Sequence, residues 1–247
     1  MNFNLKGKNI LITGAAGLLG QQFTNSLVKQ GANCYLVDIN KTQSNSNIKK
    51  NVHKFNVDLT NPTELEILKS KLDRKNIFID TLINNAAYNP KPGQNLNGLW
   101  EKDLELSLTS VKNIIELFAI NMKKKKLGNI INIGSDLSVI APDQRIYSHM
   151  NYKKPLSYSV VKHGILGITK YYAASLASYN IRVNCLSPGG IYNKQDKKFV
   201  KKIKQLIPLN RMANFDEYNG AIVFMCGDES KYMTGHNLII DGGRSII

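Results

Sequence analysis

Residues 10–20 have the sequence ILITGAAGLLG, in which an apolar run is followed by three spaced glycines and a second apolar run. Gly14 would allow a tight turn after a strand, Gly17 a close backbone approach to a diphosphate, and Gly20 close packing of a helix on that strand. The N-terminus of the helix would then face the negative charge of the diphosphate. The stretch therefore predicts a strand, a dinucleotide-binding loop and a helix.

An acidic residue closes the next apolar run, where Tyr35-Leu36-Val37 is followed by Asp38, 24 residues beyond Gly14. An acid about 20 residues beyond the first glycine binds the adenosine ribose hydroxyls in dinucleotide folds. Its charge would repel a 2′-phosphate, so NAD(H) is predicted in preference to NADP(H). Lys41 is the nearest following cation that would counter this preference.

Short apolar runs alternate with helical patterns along the rest of the chain, as in βαβ units. The candidate strands are 9–13, 33–37, 52–56, 81–84, 129–133, 182–186 and 237–240, and the candidate helices are 18–29, 62–72, 104–122, 156–178 and 215–226. This pattern predicts one α/β domain over residues 1–247. It would be a Rossmann-type, doubly wound, seven-stranded parallel sheet with helices on both faces. Residues 136–155 lack periodicity and are predicted to be a substrate-side insertion.

The net charge of +15 raises the question of an anionic partner. The lysines concentrate at 123–126, where a helix is predicted to end, and at 194–204, in a short polar helix, and few aromatic residues lie among them. Solvated helix faces explain most of this charge, and attraction of an anionic small substrate explains the remainder. No nucleic-acid partner is therefore predicted.

The sequence offers no targeting segment, membrane helix or metal motif. The N-terminal residues lack a charged-then-apolar leader, and no apolar stretch approaches the roughly 20 residues of a membrane helix. We therefore expect a cytoplasmic protein that does not contact membranes. Cys34, Cys185 and Cys226 lie far apart in apolar segments, which favours buried thiols over metal ligands or disulfides.

A second candidate site lies where Tyr158 precedes Lys162 by four residues, a spacing that puts both on one helix face. A nearby ammonium stabilises a phenolate, so the tyrosine could exchange a proton with a hydroxyl or carbonyl. Such a pair is common by chance, but here it shares a chain with a dinucleotide loop. Ser135 follows the predicted strand 129–133 and adds a hydroxyl.

Together these features resemble the short-chain dehydrogenase/reductase family over nearly the whole chain. The matching positions are the 13–20 loop, Asp38, Asp58, 84–87, Ser135, Tyr158, Lys162, 187–190, 234–235 and 241–243. Each element is common, whereas the combination is specific.

The resemblance implies a role for each matching residue. Tyr158 would be the acid/base and Ser135 the hydroxyl that polarises the substrate carbonyl, with Ser138 as the competing serine. Lys162 would hold the nicotinamide ribose and lower the tyrosine pKa. The implied cofactor-binding set is Gly14, Ala16, Gly17, Leu18, Leu19, Gly20, Asp38, Asp58, Leu59, Asn85, Ala86, Tyr158, Lys162, Pro188, Gly189 and Ile191.

Three features depart from the family pattern. The glycine spacing is similar to that of the sugar-nucleotide branch. The helix asparagine that usually completes a proton relay is replaced by Ser107, so that Ser107, Asn113 or water would take its place. The separation between Ser135 and Tyr158 is also longer than usual.

A narrower resemblance comes from the sequence APDQRIY at 141–147 and SPGGI at 187–191. It is similar to oxidoreductases of bacterial flagellin and surface-polysaccharide modification, which act in legionaminic-type and related amino-sugar pathways. The resemblance implies a phosphorylated or nucleotide-linked sugar as substrate. Arg145 and Lys153 are the main candidates to bind its phosphate, with His149 and Lys154 nearby, and a solvated subunit-contact loop is the alternative.

The sequence thus predicts an NAD(H)-dependent oxidoreductase that acts on a secondary alcohol or ketone of an anionic sugar derivative. A sugar-nucleotide epimerase or dehydratase with recycled NAD is one alternative, and a non-catalytic dinucleotide-sensing or nucleic-acid-binding protein is another. The resemblance also implies a homodimer or homotetramer, in which Leu166, Ile168 and Leu176 would serve a helix contact or the core.

Overall fold

The computed structural model describes residues 3–40, 51–90, 92–94 and 97–247. Its strands are β1 (Asn9–Thr13), β2 (Asn33–Asp38), β3 (Val52–Asn56), β4 (Thr81–Asn84), β5 (Gly128–Ile133), β6 (Ile181–Pro188) and β7 (Asn237–Ile240). All six strand pairs are parallel, and the order is β3-β2-β1-β4-β5-β6-β7. The predicted seven-stranded, doubly wound Rossmann-type sheet is confirmed.

The helices are α1 (Leu18–Lys29), α2 (Pro62–Arg74), α3 (Leu99–Leu104), α4 (Ser110–Lys125), α5 (Leu156–Leu176), α6 (Lys197–Lys204) and α7 (Asn219–Cys226). The predicted helix 104–122 covers only part of a longer helical stretch, since a π-helical turn over Glu105–Thr109 joins α3 to α4. The predicted start at residue 215 is also wrong, since α7 begins four residues later.

The sheet is covered on both faces, as its apolar strands require. One core cluster contains Leu11, Leu82 and Ile130 from the sheet with residues of α2, α4 and α5, among them Leu68 and Phe118. The other contains Ile10, Ile12 and Ile131 with residues of α1 and α7. Alternate residues of β1 and β5 thus face opposite layers, and β5 is buried throughout. Polar β3, at the sheet edge, leaves His53 and Lys54 exposed.

The predicted insertion at 136–155 is ordered around short 3-10 turns at Asp136–Ser138 and Gln144–Tyr147. Ile146 packs with Ile203 of α6 and with Ile207 and Met212 in a third apolar cluster. Polar contacts strengthen this packing, because Lys202 Nζ donates to Ser148 Oγ at 2.7 Å. This packing joins two segments, residues 136–155 and 190–212, which we call the cap. In the described part of the chain, none of the helices has the length and hydropathy needed to cross a bilayer.

Candidate active site

A cleft of about 1470 Å³ opens at the carboxyl ends of the central strands, where ligands bind in parallel α/β sheets. Most of the residues predicted to bind cofactor or to act in catalysis line it. These are Gly14, Ala16, Gly17, Leu18, Leu19, Asp38, Asp58, Leu59, Asn85, Ala86, Ser135, Tyr158, Lys162, Pro188, Gly189 and Ile191. Gly20, Ser107, Arg145 and Lys153 are not among its lining residues.

The glycine loop has no room for side chains at two positions. Gly14 has a φ of +62°, and a Cβ there would lie 2.7 Å from Ala86 Cα. A Cβ on Gly20 would lie 2.7 Å from Ala15 Cα and would also meet Gly14 O. The loop therefore lies close under the β4 end, and α1 lies close against the loop.

The N-terminus of α1 is open toward the cleft. No side chain caps it, and its first turn contains no acidic residue. Free amide groups and the positive end of the helix dipole form an anion site there. This arrangement fits the diphosphate of a dinucleotide.

Asp38 closes β2 beside this loop. Its side chain is buried, and its Oδ2 accepts from Ala16 N at 2.9 Å while Oδ1 accepts from Asn40 N at 2.8 Å. The carboxylate is therefore held in place at the cleft wall by backbone donors. Lys41, the cation that would counter its charge, lies outside the described residues.

The β4 end is tied to the loop by hydrogen bonds. Asn85 Nδ2 donates to the carbonyls of Thr13 and Gly14 at 3.0 and 2.9 Å, and Thr13 Oγ1 accepts from the backbone N–H groups of Asn85 and Ala86. Asp58 lies in the loop after β3, where its Oδ1 accepts from the backbone N–H and the hydroxyl of Thr60. These contacts fix the wall of the cleft nearest the α1 N-terminus.

Tyr158 and Lys162 lie one turn apart on α5, as their spacing predicts. Lys162 is buried, its Nζ donates to Ile133 O at 2.9 Å, and burial lowers its pKa to about 8. Burial raises the pKa of Tyr158 to about 12, although its interaction with the Ser135 hydroxyl opposes the rise. The pKa of Tyr158 is therefore raised overall, because the cost of burying a phenolate is larger than the effects that lower it, and the expectation that Lys162 lowers this pKa stays a prediction.

The two candidate serines have different partners. Ser135 reaches Tyr158, and its Oγ donates to Asp136 Oδ1 at 2.8 Å. Ser138 Oγ accepts from Ser135 N at 3.0 Å and so caps the turn that begins there. Ser138 is therefore engaged in supporting the backbone of Ser135.

Sequence reasoning missed one buried ion pair at the cleft. Arg244 Nη1 lies 2.7 Å from Asp136 Oδ2, with 6% and 4% of the two side chains exposed. Because Asp136 also accepts from Ser135, the C-terminal Arg244 supports the position of the serine. The only sequence signal was an arginine one residue beyond the matched 241–243 segment.

Ser107, the position expected for the relay asparagine, is not a lining residue of the cleft. Ser107 is buried in the π-helical turn and donates to Asp103 Oδ1 at 3.2 Å. Burial raises the pKa of the Asp103 carboxyl, opposed by hydrogen bonds from Ser157 and Ser107. Asn113, the other candidate, is not a lining residue of the cleft either.

The cations of the insertion have separate positions. Arg145 is largely exposed and forms an ion pair with Asp143 at 2.7 Å, and Lys153 is exposed. His149 Nε2 lies 2.7 Å from Asp196 Oδ1 in the cap. Lys154 alone among these four lines the cleft, with its Nζ 3.6 Å from the ring centroid of Tyr158. The structure thus does not bring Arg145 and Lys153, the two main phosphate candidates, to the cleft.

Comparisons with known proteins give a consistent result. The Enoyl-(Acyl carrier protein) reductase family model matches residues 14–245. A post-translational flagellin modification protein A of Campylobacter coli is 29% identical over 252 residues, which cover 97% of this chain and 98% of the relative. A 3-oxoacyl-acyl-carrier-protein reductase of Thermotoga maritima is 30% identical over 261 residues, which cover 98% of this chain and 99% of the relative.

A solved structure extends the similarity to three dimensions. A short-chain dehydrogenase from Leptospira borgpetersenii with bound NAD+ superposes with a TM-score of 0.91 at 31% identity, covering 98% of this chain and 94% of that one.

Proposed function

The chain belongs to the short-chain dehydrogenase/reductase family of oxidoreductases, and we propose that it uses NAD(H) to interconvert a secondary alcohol and a ketone on an anionic sugar derivative. One observation supports this proposal above the others. A single cleft contains the glycine loop, Asp38 at the end of β2 and a phenol, Tyr158, with Ser135 and Lys162 beside it.

We assign the cofactor to the part of the cleft nearest α1. The loop and the α1 N-terminus would take the diphosphate, Asp38 the adenosine ribose, and Asp58, Leu59, Asn85 and Ala86 the adenosine side. Pro188, Gly189 and Ile191 would reach the carboxamide, and Lys162 the nicotinamide ribose. The Asp38 carboxylate would repel a 2′-phosphate, which supports NAD(H) over NADP(H).

The protein residues would move a proton and orient the substrate, while bound nicotinamide supplies or accepts the hydride. Tyr158 retains its proton at neutral pH because its pKa is raised to about 12, and it is therefore suited to protonate a carbonyl oxygen. The Ser135 hydroxyl would polarise the same oxygen. The reverse reaction, alcohol oxidation, would require the phenol to lose its proton and is favoured by higher pH.

The similarity to a flagellin modification protein supports a role in surface-polysaccharide or flagellin glycan biosynthesis. We also propose a cytoplasmic location, as the sequence leads us to expect. The proposed assembly is a homodimer or homotetramer that packs through α5, on which Tyr171 is largely exposed. Leu176 belongs to the core instead, and Leu166 and Ile168 are partly buried against it.

The test is turnover of sugar acids, sugar phosphates and nucleotide sugars, followed by nicotinamide absorbance with NAD+ and with NADP+. Tyr158→Phe should reduce turnover by about 10²- to 10⁴-fold while NAD+ still binds. Asp38→Asn keeps an acceptor for Ala16 N but loses the charge, and it should shift preference toward NADP+. Full activity of Tyr158→Phe, or an unchanged preference in Asp38→Asn, would contradict the respective assignment.

One sequence feature favours a second function. The spacing of Gly14, Gly17 and Gly20 is similar to that of sugar-nucleotide epimerases and dehydratases, which regenerate NAD within each cycle. Net accumulation of NADH supports the oxidoreductase, whereas conversion of a nucleotide sugar without net NADH supports the alternative.

A further inference from the structure

Lys154 lies at the substrate end of the cleft, beside the residue to which we assign proton transfer. Its Nζ is 3.6 Å from the ring centroid of Tyr158 and donates a hydrogen bond of 2.7 Å to Asn89 Oδ1. Lys162 Nζ is 5.7 Å from the same centroid. Two ammonium groups therefore flank one phenol, and the nearer of the two is partly exposed to the cleft.

The described residues provide no ion-pair partner for these two charges. Within the described ranges, neither Lys154 nor Lys162 forms an ion pair, and the remaining residues of the chain include no Asp or Glu. Their hydrogen-bond acceptors are a neutral amide oxygen and a backbone carbonyl. An uncompensated cation in a partly buried site is costly unless a ligand supplies the opposite charge.

Two carboxylates act on Lys154 from a distance, and both have other partners. Asp136 pairs with Arg244 at 2.7 Å, and Asp103 is fully buried beside Ser107. Burial and the charge of Lys162 together lower the pKa of Lys154 to about 8, opposed by Asp103 and Asp136. Lys154 is thus charged at neutral pH, and an anion next to it would stabilise that charge.

We propose that Lys154 binds an anionic group of the substrate, a carboxylate or a phosphate, close to the carbon that undergoes oxidation or reduction. Because Lys154 lies against Tyr158, an anion on Lys154 would place the neighbouring part of the substrate at the phenol. Lys154 would thereby select anionic sugars over neutral ones. This inference rests on the proposed function, since it concerns the substrate of the same site.

The adjacent lysine provides a matched control. Lys153 is exposed and does not line the cleft, so Lys153→Met removes one charge from the same segment without touching the site. Lys154→Arg keeps the charge and a hydrogen-bond donor, whereas Lys154→Met keeps much of the apolar stem and removes the charge.

The experiment measures binding of three probes to the enzyme–NAD+ complex by titration calorimetry. D-gluconate carries a carboxylate, D-sorbitol 6-phosphate a phosphate, and D-sorbitol neither. Wild type should bind at least one anionic probe about 10- to 100-fold more tightly than sorbitol, as expected for a charge-assisted hydrogen bond. Lys154→Met should lose this difference, Lys154→Arg should retain most of it, and Lys153→Met should behave as wild type. The two anionic probes distinguish a carboxylate substrate from a phosphate substrate.

Two outcomes would overturn the inference. One is equal binding of all three probes by wild type. The other is a Lys154→Met variant that loses as much affinity for sorbitol as for the anions, which would indicate that Lys154 only supports the Tyr158 ring. Hydride transfer is measured separately. If anions bind in a way that depends on Lys154 but no NAD-linked turnover occurs, the proposed function is contradicted. If sorbitol is turned over as well as the anionic probes, only the inference is contradicted. NAD+ affinity and thermal unfolding of each variant verify that it folds.

Discussion

Asp136 and Arg244 are 108 residues apart in the chain and form a buried ion pair, with 2.7 Å between Oδ2 and Nη1. The pair joins the loop after β5 to the C-terminal turn, and Asp136 also accepts from Ser135. The last residues of the chain are therefore part of the support of the active site.

Arg244→Met should destabilise the protein by about 3–5 kcal/mol, because it leaves the Asp136 charge buried without a partner. It should also lower kcat, since Ser135 loses its support. Arg211→Met is the control: Arg211 pairs with Glu217 at the surface, where such a pair contributes about 0–1 kcal/mol. Denaturant unfolding measures both changes, and equal effects of the two variants would contradict the structural role of Arg244.

Ser135→Ala and Ser138→Ala should separate chemistry from stability. Ser135→Ala removes the hydroxyl at Tyr158 and should lower kcat about 10²- to 10³-fold. Ser138→Ala leaves the Ser135 N–H without its acceptor, which should cost about 1–3 kcal/mol of stability with a smaller effect on kcat. Steady-state kinetics with chemical unfolding checks both variants, and the reverse result would make Ser138 the catalytic serine.

Gly20→Ala should disturb the cofactor end of the cleft. Its Cβ would press on Ala15 Cα and Gly14 O, both of them backbone atoms that cannot move away cheaply. We expect at least a 10-fold loss of NAD+ affinity and about 1–3 kcal/mol of lost stability. Gly220→Ala, in α7, has no atom within 4 Å of the added Cβ and should stay within about 1 kcal/mol of wild type. Normal NAD+ binding by Gly20→Ala would contradict the close packing of α1 on the loop.

The pH dependence of stability should reveal the buried lysine. Lys162 has a pKa of about 8 in the folded protein against an ordinary value of 10.5, so between these values the unfolded chain binds more protons. Lys162 therefore makes the free energy of unfolding rise with pH, by at most about 1.4 kcal/mol per pH unit. Lys162→Met should lose this contribution, and Lys153→Met should not.

The difference in slope between variants is the quantity to measure. Cys34, whose pKa is raised to about 12, contributes a slope of the opposite sign above about pH 9 that is common to wild type and variants. Tyr158, whose pKa is also raised to about 12, lies beside Lys162, so the slopes are compared below about pH 10, where this phenol keeps its proton in both states. Identical slopes for wild type and Lys162→Met would show that Lys162 titrates normally.

Most of the fold could be predicted because its signals are local. Most of the strands are short apolar runs, and β1, β2, β4, β5 and β6 are largely buried. The spacing of Tyr158 and Lys162 places both on one face of any helix that contains them. The π-helical turn at Glu105–Thr109 could not be predicted, because it depends on how α3 and α4 pack and not on a residue pattern.

The site was less predictable where it depends on contacts between distant residues. Lys153 and Lys154 are identical neighbours in a segment without periodicity, and only the packing of the insertion decides which one reaches Tyr158. The Asp136–Arg244 pair likewise has no local signal. The choice between Ser135 and Ser138 required the backbone geometry of a single turn.

The cap has a consequence for how new specificities arise in this protein. Ile146 from one segment is buried against Ile203, Ile207 and Met212 from the other, so neither segment can be replaced alone without exposing apolar surface. The dinucleotide loop lies elsewhere on the sheet and takes no part in this cluster. Residues 136–155 and 190–212 would therefore have to be exchanged together by evolution or an engineer, with Asp136, Ser138 and Ile191 kept, because these three residues support Ser135 or line the cleft.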